Sequence, residues 1–146
     1  MTQATFSKVT RSEKPMYGPR RILACGYDLA DLTRLAGLLA ACGLAGVGVV
    51  HVADDQAETA LVDLFALSPA AAPPAPSRFS RAVIVAGITE KELHALLDAY
   101  RKSGMPPQLW AALTPTSEKW PLTRLLAELE AERKAMQRRQ KQPQHR

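Results

Sequence analysis

Aromatic residues are scarce: Phe, Tyr and Trp make up 5% of the 146 residues, although apolar residues as a whole make up 47%. The core must therefore be packed from Leu, Val, Ala and Ile, which suits tightly packed α/β layers. Cysteine is scarcer still. Cys25 and Cys42 form neither a disulfide framework nor a CxxC pair, which excludes a disulfide-stapled scaffold and points to reduced thiols in the cytoplasm. Long apolar runs are missing too. The longest uncharged stretch, residues 35–50, is interrupted at Gly37, Gly43, Gly46 and Gly48. It is shorter than the roughly 18–20 residues that a spanning helix needs, so no membrane segment is expected. Residues 1–21 lack the apolar run of an export signal.

Phosphate and metal motifs are also lacking. Neither Gly26 nor Gly87 opens a G-x-G-x-x-G, no G-x-x-x-x-G-K-[ST] occurs, and Asp28 would repel a phosphate at the first of these turns. The glycine-rich stretch 43–48 leaves a helix and enters a strand, the reverse of a phosphate loop. Of the three histidines, His94 falls in a helix and His145 in the tail. His51 with Asp54 and Asp55 is the only metal-like grouping, and nothing fixes a further ligand beside it. No Ser or Cys has an identifiable His partner. Cys25, at the tip of a strand, reads as a small buried hydrophobe before it reads as a reactive thiol. The sequence thus offers no catalytic residues, no metal site and no cofactor.

What is present is a strand-helix pattern that occurs twice. Residues 21–25, apolar after Arg21, and residues 82–86, apolar throughout, show no alternation, as in strands buried on both faces. Gly26 and Gly87 end them. Asp28 and Thr89 then stand as helix N-caps, the latter with Glu92 in a capping box. Leu32, Leu35, Leu38 and Leu39 form one helical stripe, and Leu93, Leu96, Leu97 and Tyr100 form another. Residues 47–52 and 109–113 read as further strands. Asp54, Asp55 and Glu58 favour a helix N-terminus through the macrodipole, with Ala57, Ala60, Leu61, Leu64 and Phe65 on its buried face. Pro121 opens a last helix bearing Leu122, Leu125, Leu126, Leu129 and Met136, with fraying expected past Met136. A shift of sixty-one residues superposes Gly26 on Gly87, Leu32 on Leu93, Leu35 on Leu96, Gly43 on Gly104, Leu61 on Leu122 and Leu64 on Leu125.

This predicts an α/β domain over residues 21–136: a duplicated β-α-β-α giving a small, mainly parallel four-stranded sheet of order 2-1-3-4 with helices on both faces. The half-repeats span 21–67 and 80–136, joined by a Pro/Ala linker, 68–79. Residues 1–20 read as a flexible basic arm and 137–146 as a disordered basic tail. With the halves related by an axis along the strands, Gly26 and Gly87 would lie side by side at the carboxyl edge, where open α/β sheets bind ligands. Candidate ligand-binding residues at that edge are Tyr27, Asp28, Thr89, Thr114, Thr116, Ser117, Lys119 and Trp120. Each has a structural reading as well. Asp28 and Thr89 are caps, the hydroxyls suit turns, and Trp120 suits a lid over the core. Lys119 could help hold an anion at a helix N-terminus.

Charge is unevenly placed. Residues 1–21 carry +4 and residues 133–146 carry +6, which leaves −5 for the body between them. Arg133, Lys134, Arg138, Arg139 and Lys141 are therefore the candidate nucleic-acid contacts, and basic tails also serve solubility.

Residues 81–132 resemble a prokaryotic family catalogued as domain of unknown function 3783. The likeness rests on RAVIVAGIT, ELHALLDAYRKSGMP and LWAALTPTSEKWPLTRLLAELEAE. It implies a small α/β domain and brings no activity, cofactor or catalytic residue. The family pattern often has Asn at the position of Ser117 and Lys at that of Trp110, which weakens any site inherited through those groups. The function expected from these observations is that of a small cytoplasmic, non-enzymatic binding or protein-interaction module, with an unidentified protein partner or a homodimer through the last helix. A sensor of a small anionic metabolite at the carboxyl edge, or a nucleic-acid-associated protein acting through its basic ends, is the alternative.

Overall fold

The apolar run ILAC behind Arg21 and the apolar pentad AVIVA form the centre of the sheet because both of their faces are covered. In the computed structural model, which describes residues 13–68 and 78–141, β1 (Arg21–Cys25) is followed by α1 (Leu29–Ala41), β2 (Gly48–His51) and α2 (Leu61–Phe65). The second half repeats this order with β3 (Ala82–Ala86), α3 (Glu90–Lys102), β4 (Leu109–Ala112) and α4 (Leu122–Lys141). The four strands lie in the order β2-β1-β3-β4. β1 is parallel to β2 and β3 is parallel to β4. The central pair is antiparallel, with Leu23 opposite Ile84 and Cys25 opposite Ala82. The sheet is thus mixed, mostly but not entirely parallel.

Alternation along each strand feeds two separate cores. Leu23, Cys25, Ile84 and Ala111 face α2 and α4, where they meet Leu61, Phe65, Leu122 and Leu129. Ile22, Ala24, Val83 and Val85 face α1 and α3, where they meet Leu35, Leu39, Leu93 and Leu96. The leucines of α4 up to Leu129 are buried within this chain, so they are not free to form the dimer contact anticipated for them.

The antiparallel centre corrects the expected axis. Leu23 lies opposite the residue sixty-one positions on, as an axis through the face of the sheet requires and one along the strands does not. Other contacts obey the same offset. Arg20 reaches Glu92 at 2.7 Å, and Arg81 reaches Asp31 at 2.6 Å. Leu61 N–H donates to the Trp120 carbonyl at 2.9 Å, and Leu122 N–H donates to that of Thr59 at 3.1 Å. This last exchange explains why the helix expected from Asp54 onward is broken. Only a 3₁₀ turn (Asp54–Gln56) and the five residues of α2 are helical. The carbonyls of Ala57 and Thr59 instead receive the first N–H groups of α4, which have no partner within their own helix.

Two ends differ from the sequence reading. Residues 1–12 of the arm lie outside the described residues, but 15–17 are fastened to the β3–α3 turn: Met16 N–H donates to Ile88 O at 2.8 Å and Gly87 N–H to Tyr17 O at 3.1 Å. α4 continues past Met136 to Lys141, while 142–146 and linker residues 69–77 lie outside the described residues. Among the described residues no helix is long and apolar enough to cross a membrane.

Gly26 and Gly87 let each half press on the other. Both have positive φ, 74° and 69°. A Cβ on Gly26 would meet Phe79 O at 2.6 Å, and one on Gly87 would meet the Arg20 nitrogen at 2.5 Å. Gly104 also has positive φ, 82°, but nothing lies within 4 Å of its missing Cβ. Gly104→Ala should therefore carry only the backbone penalty of roughly 1–2 kcal/mol. Gly87→Ala adds a clash with backbone and should destabilise by at least about 3 kcal/mol. Urea unfolding midpoints of the two variants check the order.

Candidate functional site

The antiparallel centre puts Gly26 and Gly87 at opposite ends of the sheet, so no cleft forms between their turns. One edge carries the ends of β3 and β4 and with them Thr89, Thr114, Thr116, Ser117, Lys119 and Trp120. The opposite edge carries Tyr27 and Asp28. The predicted residues are therefore split six to two, and most act locally. The Asp28 carboxylate accepts from Asp31 N–H at 2.8 Å and caps α1. Thr89 Oγ1 accepts from Glu92 N–H at 3.0 Å, and the Glu92 carboxylate accepts from Thr89 N–H at 2.9 Å. Thr114 and Ser117 close a ring in which Thr114 N–H donates to Ser117 Oγ, Ser117 N–H donates to Thr114 Oγ1, and the hydroxyls lie 3.0 Å apart. Trp120 is half-buried against the core with the Arg124 guanidinium 4.1 Å over its ring. Thr116 and Lys119 are exposed.

The same edge holds a groove of about 470 Å³. Tyr17 and Gly18 form one wall, Val62 and Phe65 another, and Leu113 lies between them. Two charged side chains border it, and both are engaged within the chain. Arg21 donates to the carbonyls of Phe65 and Leu67, which satisfies the end of α2. Glu118 accepts from the Tyr17 hydroxyl at 2.7 Å. Among the described residues the large exposed apolar side chains are Tyr17 (44%), Leu29 (58%), Val62 (43%) and Leu67 (38%). Tyr17 and Val62 line this groove, and Leu67 follows α2 at its end. Sequence reading missed the groove because Tyr17 lies in a stretch that reads as an arm and Val62 in a helix of a different length.

The opposite edge is polar inside. Tyr27 is buried, its hydroxyl donates to Gln108 Oε1 at 2.5 Å, and the Arg81 guanidinium sits 4.8 Å from its ring centroid. Burial pushes the Tyr27 phenol well up from its usual range. Arg81 Nη1, Gln108 Nε2 and His51 Nε2 are buried without a hydrogen-bond partner among the described residues. All three flank this edge, and such groups are uncommon enough to require a reason. Burial also holds the His51 imidazole below its usual range, against the raising pull of the Tyr27 backbone and the Asp54 carboxylate. Arg81 had a signal in the sequence, an arginine directly before an apolar strand, as at Arg20 and Arg21. Gln108 had none.

Burial pushes the Cys25 thiol up to about 12, so it is not a thiolate at neutral pH. No group of three or more His, Cys, Asp and Glu that could hold a metal ion occurs among the described residues. Of the basic candidates on α4, Arg133 bonds Glu130 at 2.8 Å and Lys134 adds its field to that carboxylate. Arg138 and Arg139 have no acidic partner among the described residues.

The protein is thus a small α/β domain on a mixed sheet. Residues 81–136, from the residue before β3 to within α4, match the family model described as Domain of unknown function (DUF3783), in agreement with the resemblance carried by the same stretch of sequence. No curated protein and no solved structure matches the chain.

Glu92 provides a test of the link between the arm and the second half. The Arg20 guanidinium holds its carboxyl at about 2, with the Thr89 backbone helping against burial. A depressed folded-state value gives stability that is present above the ordinary value of 4.5 and is lost as pH falls toward 2. Arg20 is 46% exposed, so the pair should contribute no more than about 1 kcal/mol. Glu92→Gln should lower stability by up to that amount at pH 7, with the gap closing between pH 4.5 and 2. Chemical denaturation across that range measures it.

Proposed function

We propose that the protein is a non-enzymatic interaction module that takes an extended apolar segment of a partner protein into the groove between Tyr17, Val62, Phe65 and Leu113. The observation that carries this reading is the pairing of an apolar groove with exposed Tyr17 and Val62 on a chain whose predicted polar site residues are mostly occupied by caps and turns. Exposed apolar patches around a groove are a usual mark of protein contact. The charged groups of Arg21 and Glu118 at the rim are both hydrogen-bonded within the chain, which leaves the apolar walls as the main contact for an occupant. The two halves are read here as copies of one β-α-β-α unit, the groove being a feature in which they differ. Two free thiols, Cys25 and Cys42, are in keeping with a cytoplasmic location.

A second reading rests on α4. It extends about three turns past Leu129, its last core residue, and carries Arg138 and Arg139, which have no acidic partner among the described residues. Such a projecting basic helix suits nucleic-acid phosphates, bound without sequence preference and with strong salt dependence.

A peptide library displayed on phage separates these readings. Peptides enriched on the wild-type chain should be apolar. Val62→Glu should weaken their binding by at least about tenfold, while Leu29→Glu, on α1, should not. Val62 is exposed, so its stability should stay within roughly 0.5 kcal/mol of wild type. Binding that is indifferent to Val62→Glu overturns the groove reading. For α4, retention on nucleic acid should fall steeply with salt and disappear on removal of residues 133–146, and unchanged retention excludes that role.

A further inference from the structure

A second cavity, of about 370 Å³, opens on the opposite face of the sheet at the end of α3 and shares no residue with the groove. Leu97, Met105, Pro107 and Trp110 supply apolar walls. Tyr100 meets Trp110 edge to face, with ring centroids 5.4 Å apart and planes at 85°. The Tyr100 hydroxyl donates to Pro106 O at 2.5 Å, which pins the loop that closes one side. The volume lies at the small end of the range for small-molecule sites, roughly 300–1,000 Å³.

One polar group in this wall is left over. Gln108 Oε1 is held by the Tyr27 hydroxyl, which orients the amide, and Gln108 Nε2 is buried with no acceptor among the described residues. A buried donor without a partner is costly and invites an acceptor from outside the chain. The rim carries a surplus of positive charge. Arg101, which borders the cavity, and Lys102 both pair with the single carboxylate of Asp98, the latter at 3.3 Å. Arg101 is 73% exposed, so its guanidinium can leave Asp98 at little cost.

We infer that this cavity binds a small carboxylic acid with an apolar body. The carboxylate accepts from Gln108 Nε2 and faces Arg101, and the hydrocarbon lies against Trp110, Leu97 and Met105. An amine is disfavoured by the basic rim. A purely apolar compound leaves the Gln108 donor without an acceptor. A nucleotide is disfavoured by the small volume. The inference does not depend on the groove reading, because the two sites use different residues on opposite faces.

The test uses 3-phenylpropanoate as probe and 3-phenylpropan-1-ol as its neutral counterpart. Trp110 emission is followed in a Trp120→Phe chain, and ¹H–¹⁵N spectra are recorded on the wild-type chain. The acid should bind saturably and at least about tenfold more tightly than the alcohol, with a shift at the Gln108 side-chain amide. Gln108→Leu should weaken the acid by about tenfold and leave the alcohol unchanged, and Arg101→Gln should narrow the difference between them. Equal binding of acid and alcohol overturns the inference. So does the absence of saturable change up to about 10 mM, the weak end of specific recognition, or a shift map that leaves Gln108 untouched. The wild-type spectra decide the matter even if Gln108→Leu does not fold.

Discussion

Leu23 faces Ile84 across the middle of the sheet, with the two strands running in opposite directions. That register fixes the position of nearly every other group. It sends the glycine turn after β1 to one end and the turn after β3 to the other. It places α1 with α3 on one face and α2 with α4 on the second. It also brings the residues just before each central strand against the turn of the other half, so that Arg20 meets Glu92 and Arg81 meets Asp31. In a wholly parallel sheet the two glycine turns would share one edge and these ion pairs would not form.

The same register explains why the polar candidates do not converge. Caps at Asp28 and Thr89 belong to helices that start at opposite ends. The Thr114–Ser117 ring closes a turn before α4 and leaves its hydroxyls occupied. What remains open is apolar on one face, between Tyr17 and Val62, and mixed on the other, beside Gln108 and Trp110. The open surfaces of this protein therefore lie where short connections fail to cover the sheet layers, on loops of the kind that commonly carry recognition.

Much of the fold is legible in the sequence. The strands 21–25 and 82–86 are read directly from the unbroken apolar runs 22–25 and 82–86, each ended by glycine, and the strand order follows from short connections. The direction of β3 relative to β1 is not legible, because a strand buried on both faces shows the same pattern whichever way it runs. The helix from Asp54 is misread for a different reason. Its propensity is adequate, but the carbonyls of Ala57 and Thr59 are drawn to the N-terminus of α4, a tertiary contact that local pattern does not show. Residues 15–17 read as an arm because backbone bonds, not side chains, fasten them. Thr89 with Glu92 is legible as a capping box and is one. Tyr27 is legible only as a residue near a turn; its link to Gln108 joins positions eighty-one apart.

The reciprocal bonds that start α2 and α4, Leu61 to Trp120 and Leu122 to Thr59, have a consequence for how the chain folds. Neither helix can complete its first turn until the other half has arrived, and neither central strand has its antiparallel neighbour until then. The halves are therefore not autonomous folding units, although each has the local order of one. Pairing the two central strands closes a loop of about sixty residues, whose entropic cost rises only with the logarithm of length. Added length between the halves is tolerated far better than the loss of either one. The stretch that matches the family model, taken alone, would leave β3 with an unpaired edge and α4 without the carbonyls that receive its first N–H groups.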